Sequence, residues 1–277
     1  MRTSNLFSCT TKVTGVLLAA ALMVSCTKSS EKKEGPDVSK TFIPAKNKKF
    51  LYDIQTDGSN GTAIQWISGQ KDSSGISVFN LHSEIESSGT TTPLDNKIFT
   101  LNGKTYHEVK VPEAWNYMIT LFNNMPNTRV TNAQLFGFPA YMTMENVIKN
   151  GSVLSLDGPL QQGQRIDYVS NGDQCSMEQN IVLESGTSVV ETIQVPAGSF
   201  VCNKFSYAYH NEITSVTSYG RLVGNGEEQI DVWVAHGIGI VKQQSSARLV
   251  TMVPLPTGEV REVVTLTNSS MTLKDIQ

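Results

Sequence analysis

The chain of 277 residues lacks any apolar run long enough to cross a bilayer as a helix, since its most apolar stretch, Val13 to Val24, is short of the ~20 residues that hydrocarbon requires. It has only four cysteines and four histidines, and none falls at HExxH or paired CxxC spacing, which excludes the common zinc sites. A GxSxG elbow is missing as well, so the sequence gives no hydrolase nucleophile. Lys and Arg number 22 against 25 Asp and Glu, with no basic cluster, and this removes the electrostatic footprint that nucleic acid needs. No period of 20 to 50 residues repeats, which excludes solenoids and propellers. These gaps leave no metal, no cofactor and no catalytic residue to expect.

What is present begins at the N-terminus. Arg2 and Lys12 form a basic region, the apolar stretch follows, and Leu22-Met23-Val24-Ser25-Cys26 is a small-residue cleavage site with a thiol just beyond it. This is a bacterial lipoprotein signal over 1–25, in which Cys26 becomes the acylated first residue; two or three acyl chains anchor stably where one would be reversible. Residues 26–46 then carry Ser, Lys and Glu with few apolar side chains, and read as a flexible tether. The expected address is the cell envelope, with the chain lipid-anchored at the outer membrane and the membrane as its first partner. Residues 47–277 form one β-rich domain, a length that single sandwiches and barrels reach.

From Lys49 onward β-branched and aromatic residues alternate with Ser, Thr, Gln and Asn. Residues 50–56, 62–71 and 76–86 read as a meander, and 96–101 and 104–109 as a hairpin around Asn102-Gly103, a type I′ signal. Further strands are expected at 164–174, 176–184, 188–195, 199–210, 213–223, 229–235, 238–253 and 260–267, with turns at 184–187 and 223–226. One segment breaks the pattern. From Pro112 to Asn123, Trp115, Met118, Ile119 and Phe122 recur at helical spacing behind a proline suited to a first turn. The fold class is therefore all-β with one amphipathic helix, a curved and mainly antiparallel sheet. Trp115, Met118, Phe122 and Tyr141 are the candidate ligand-binding residues, because Met and aromatic side chains adapt to apolar ligands; plain core filling is the competing use of the same residues.

Cys175 and Cys202 are the two thiols of the folded part. An even pair in an oxidising compartment points to a disulfide, which would close a loop of roughly 28 residues worth about 3 kcal/mol. The alternative is a pair of buried free thiols, and the separation of the two Cα atoms decides between them. His82 with Glu84, and His210 with Glu212, share strand faces as polar pairs on a wet face; neither has a third ligand at metal-site spacing.

Three pieces carry a resemblance: GPLQQGQRID at 158–167, VPAGSFVCNKFSYAYH at 195–210 and DVWVAHGIGIVKQQ at 231–244. Together they resemble a family of uncharacterised bacterial envelope lipoproteins with VPAGxF and WxxxGxGxVK motifs. The resemblance implies a half-barrel similar to that of outer-membrane lipoprotein carriers, and it implies no activity. The expected role is an envelope lipoprotein that binds a hydrophobic or lipid-like small molecule. A structural module that binds another envelope protein through a filled core is the alternative, and an enzyme comes last.

Overall fold

The computed structural model describes residues 38–87, 89–159, 161–218, 220–254 and 259–277. The signal segment 1–25, Cys26 and the tether as far as residue 37 lie outside the described residues.

Alternation gives fourteen strands: β1 Lys49–Thr56, β2 Ser59–Ser73, β3 Ile76–Ser87, β4 Thr90–Leu101, β5 Lys104–Val109, β6 Thr128–Phe136, β7 Ala140–Glu145, β8 Val153–Asp157, β9 Gln161–Ser170, β10 Asp173–Val195, β11 Gly198–Thr217, β12 Gly220–Ala235, β13 Gly239–Pro254 and β14 Val260–Ile276. The helix α1, Glu113–Asn124, stands between β5 and β6. Twelve strands close into an antiparallel ring in the order β11-β12-β13-β14-β1-β2-β3-β4-β5-β7-β8-β10, because β10 also pairs with β11. Strands β9 and β6 extend from the first half of β10 and lie outside the ring. The all-β class with one helix stands, and the sheet expected to be curved closes fully. Closure removes the free edges that an open half-barrel would expose to other chains.

Residues paired across strands share a face, so each row of the ring points wholly in or wholly out. The row Leu273–Tyr52–Ala63–Ile85 points in and is apolar. The adjacent row Asp53–Thr62–Glu86 points out, and Asp53 meets Lys274 at 2.9 Å. Lys204 meets Asp231 at 2.8 Å on the outside of β11 and β12. A barrel that spans a membrane has the reverse pattern, with an apolar band outside and a polar lumen.

The turn chemistry is partly as expected and partly different. Asn102 and Gly103 have φ of 50° and 75°, both positive as a type I′ turn demands. Val195 pairs with Gly198, so VPAGSF is the tight end of the β10–β11 hairpin, and DVWVAHGIGIVK is the β12–β13 hairpin with a bulge between Trp233 and Val234. At 184–187 and 223–226, however, the chain does not turn. Strand β10 runs through the first with a bulge, and β12 runs through the second without one. The glycines serve close approach there: a Cβ on Gly224 would sit 2.5 Å from the Val250 carbonyl oxygen, and one on Gly186 would collide with that of Ser206. The break expected near Cys175 falls instead at Asn171-Gly172, and β11 continues through 211–212.

The expected disulfide is not formed: Cys175 and Cys202 are both free and buried. Ser176 pairs with Val216 and Glu191 with Cys202, which places the thiols near opposite ends of the β10–β11 hairpin. At ~3.3 Å per residue they are up to about 50 Å apart along the strands, against the ~7 Å that a bridge tolerates. Cys175 packs with Ile166, Tyr168 and Met177, and Cys202 with Phe50 and Trp233. Burial, with a smaller contribution from the Glu191 charge, pushes the Cys202 thiol up to about 12, so it is inert as a nucleophile.

The tether is also shorter than expected. After a 3-10 turn at Val38–Lys40, residues 41–44 are buried and close one end of the barrel. Phe42 is 1% exposed and Ile43 0%, the latter against Phe79, Leu81 and Ile98. Two backbone bonds, Ala45 N to Gly237 O and Gly237 N to Thr41 O, both 2.8 Å, stitch this plug to the β12–β13 turn. The Phe42 amide donates to Thr105 Oγ1 at 3.3 Å. Composition hid this, since two apolar residues in a polar segment bury little area in sum, yet each stabilises by roughly 1.5–3 kcal/mol once covered.

Candidate ligand cavity inside the barrel

Filling the ring would take more side chain than the inward positions supply, and a cavity of about 150 Å³ remains. The plug closes it at one end through Phe42 and Pro44, and Pro112, Trp115 and Phe138 stand around the other. Its two walls differ. Strands β7 to β12 contribute Met142, Met144, Leu154, Ile181, Tyr207, Tyr209, Val232 and Val234, a mostly apolar and aromatic surface that also holds Gln162 of β9, its amide bonded to the Pro159 carbonyl. Strands β2 to β5 contribute Gln65, Ser83, Asn96 and His107 among Leu81, Ile85, Leu94 and Ile98.

The electrostatics of the interior follow from its burial. His107 turns its ring to the cavity, far from bulk water, and desolvation lowers its pKa to about 4, so it is neutral at physiological pH. Tyr207 and Tyr209 are raised by the same cause, with the nearby Glu228 adding to it. Glu228 itself is 6% exposed and raised by desolvation, against a hydrogen bond from Ser245 that lowers it. Ser245 in turn shares a 2.8 Å hydrogen bond with Ser269, which reaches the cavity wall. Tyr52 donates its hydroxyl to the Ile240 carbonyl at 2.9 Å, which fixes the wall beside the plug.

Of the residues that the sequence singles out, Trp115 lies in the cavity wall, 3% exposed, its ring 6.0 Å from that of Phe138. Met118 and Phe122 do not. They pack on the extension formed by β9 and β10, with Phe122 stacked on Tyr168 at 4.4 Å. The helix is thus divided between two clusters, and its spacing could not show which residue entered the ring. Tyr141 is on the outer face, edge-on to Phe99 at 5.4 Å, since strand parity sends its neighbours Met142 and Met144 inward on alternate positions and leaves it outside. The residues that sequence reasoning missed are Phe42, Ser83, Asn96, His107, Tyr207 and Tyr209. Parity was the available signal for the last two, because Phe205, Tyr207 and Tyr209 alternate on one strand face.

The paired histidines sit on the outside. His82 is 2.5 Å from Asp95, and His210 is 2.9 Å from Glu184. Among the described residues no group of three His, Cys, Asp or Glu side chains could hold a metal ion. A larger groove of about 710 Å³ crosses the outside of β10 to β14 beside Asn180, His210, Glu227 and Arg248. It is open to water, and His210 and Glu227 bond neighbouring side chains, as a solvated face does.

Fold and site together define a closed β-barrel with a plugged end and an amphipathic internal chamber. No protein-family model matches the chain, and no curated protein matches it. Among solved structures it is similar to a protein of Bacteroides fragilis described as exported and of YmcC-like fold, at 15% identity and a TM-score of 0.38 over 86% of this chain and 99% of that one. It is also similar to a protein of Parabacteroides distasonis described as a lipoprotein, at 16% identity and a TM-score of 0.46 over 86% of this chain and 98% of that one.

Proposed function

We propose that the chain is an envelope lipoprotein, anchored through Cys26 at the outer membrane, whose barrel binds a small hydrophobic molecule. The cavity of about 150 Å³, mostly apolar along one wall, carries the reading. Its size narrows the ligand. A void of about 150 Å³ admits a benzene-sized molecule, so the chamber suits a single ring or a short acyl chain and not a whole diacyl lipid. Binding is favoured over catalysis because the ionisable lining groups among the described residues are His107, Lys110 and two raised tyrosines, with no nucleophile beside a base.

Toluene is a suitable probe. Ligand-observed NMR on the full chain in lipid nanodiscs should show saturable toluene binding. Ala63 is 2% exposed and lines the cavity, and Ala63→Phe should weaken that binding at least tenfold while the fold is retained. Equal binding by the variant would place the toluene elsewhere and sink the reading.

A further inference from the structure

The polar wall has a feature that packing does not explain. Ser83 Oγ and Asn96 Oδ1 are shut away from solvent without a hydrogen-bond partner, on residues 2% and 6% exposed that line the cavity. Buried polar atoms of folded proteins are almost always paired, so each orphan signals a partner that the chain itself does not supply. Apolar side chains of similar shape at these two positions would cost the fold nothing.

The two residues do not stand alone. Gln65 pairs directly with Ser83 across β2 and β3. Ser83 pairs with Leu94, and Asn96 is the next inward residue on β4. Ile98 pairs with His107, so on β5 His107 lies two residues nearer the plugged end than the position opposite Asn96. After the first pair, each step across the wall advances two residues toward the plugged end. Strands in a closed barrel are tilted and staggered in this way, so the four side chains form one belt on one wall.

The belt carries no formal charge. Gln65, Ser83 and Asn96 are neutral by nature, and burial keeps His107 unprotonated. The charged residue of the lining is Lys110, beyond the end of β5 at the mouth. An ion placed against the belt would lose its hydration and find no counter-charge there, while a hydroxyl or amide would find acceptors and donors waiting.

We infer that the cavity selects an uncharged amphiphile, with a ring-sized or short-chain hydrocarbon body against β7 to β12 and hydroxyl or amide N–H donors against Gln65, Ser83, Asn96 and His107. This rests on the reading of the cavity as a binding site and adds the chemistry of the ligand's polar edge. Asn96 Oδ1 and Ser83 Oγ turn toward the donors by rotation about their own side-chain bonds. The belt then becomes a specificity element, kept at the expense of stability.

Four probes of one body test it: toluene, benzyl alcohol, benzylammonium and benzoate, titrated into the full chain in nanodiscs. The expected order puts benzyl alcohol about tenfold tighter than toluene, the gain of one well-made hydrogen bond, and both ions weaker than toluene. Asn96→Leu and the milder Ser83→Ala should each bring the alcohol-to-toluene ratio toward one and hold or raise the unfolding midpoint. Tightest binding by either ion overturns the inference, and so does an alcohol preference that survives both substitutions. If toluene binds and the alcohol shows no preference, the inference fails while the binding site stands; if no probe binds, the site itself fails.

Discussion

Replacing Phe42 by Ala should destabilise the barrel by about 3–5 kcal/mol, the cost of truncating a fully buried aromatic side chain. Phe42 is 1% exposed, packs in the same cluster as Trp115, Met144, Leu154 and Phe205, and its ring lies 5.0 Å from that of His236. A further consequence follows from its place in the plug. The cavity loses the wall that closes one end, so probe exchange should become faster as stability falls. The exposed neighbour Lys48 makes the control, since Lys48→Ala should change stability by less than about 0.5 kcal/mol. Chemical denaturation of both variants checks the pair. A loss below about 1 kcal/mol for Phe42→Ala would mean that residues 41–45 are tether after all.

The second large effect is a loss of stability in mild acid. His107 titrates at about 4 in the folded chain because burial disfavours its cation, against an ordinary value near 6.5. Between pH 6.5 and 4 the unfolded chain therefore binds a proton that the folded chain does not. Stability falls as pH drops through that window, by about 3 kcal/mol in total, and is flat with respect to this group above it. His236, lowered by burial as well, acts in the same direction. Glu228 and Glu108 act in the opposite direction, because desolvation raises them and the folded state takes up their protons first. The difference between wild type and His107→Gln isolates the one residue: wild type should lose about 3 kcal/mol relative to the variant as pH falls from 6.5 to 4. Parallel curves across that window would show that His107 is hydrated or already paired.

Much of the architecture was legible because alternation is a local property. The meander β1 to β3, the β4–β5 hairpin and the helix around Trp115 all follow from spacing and turn chemistry within a few residues. Closure was not legible, because it depends on β10 finding the distant β8 as well as its hairpin partner β11, and no local pattern encodes the β8 contact at the Glu184–Thr187 bulge. The same limit explains the glycines at 186 and 224. A glycine needed where two backbones approach looks in sequence like a glycine needed for a turn. Cys175 and Cys202 misled for a related reason, since their even number is visible and the length of the hairpin between them is not. The site was legible only at Trp115. Its other walls are assembled from rows that cross many strands, and Ser83, Asn96 and His107 look like ordinary wet-face residues until the ring closes around them. Phe42 was hidden by its neighbours, a buried residue inside a polar segment.

The central claim is that the barrel is hollow and its chamber accepts apolar matter. Diffraction from crystals of the protein pressurised with xenon tests this most directly, because xenon enters apolar voids of about 150 Å³ without needing any specific contact. A xenon peak is expected among Met142, Ile181, Tyr207 and Val232, the side chains that line the apolar wall. Crystals that show no xenon there, with those side chains packed against the β2–β5 wall, would contradict the account.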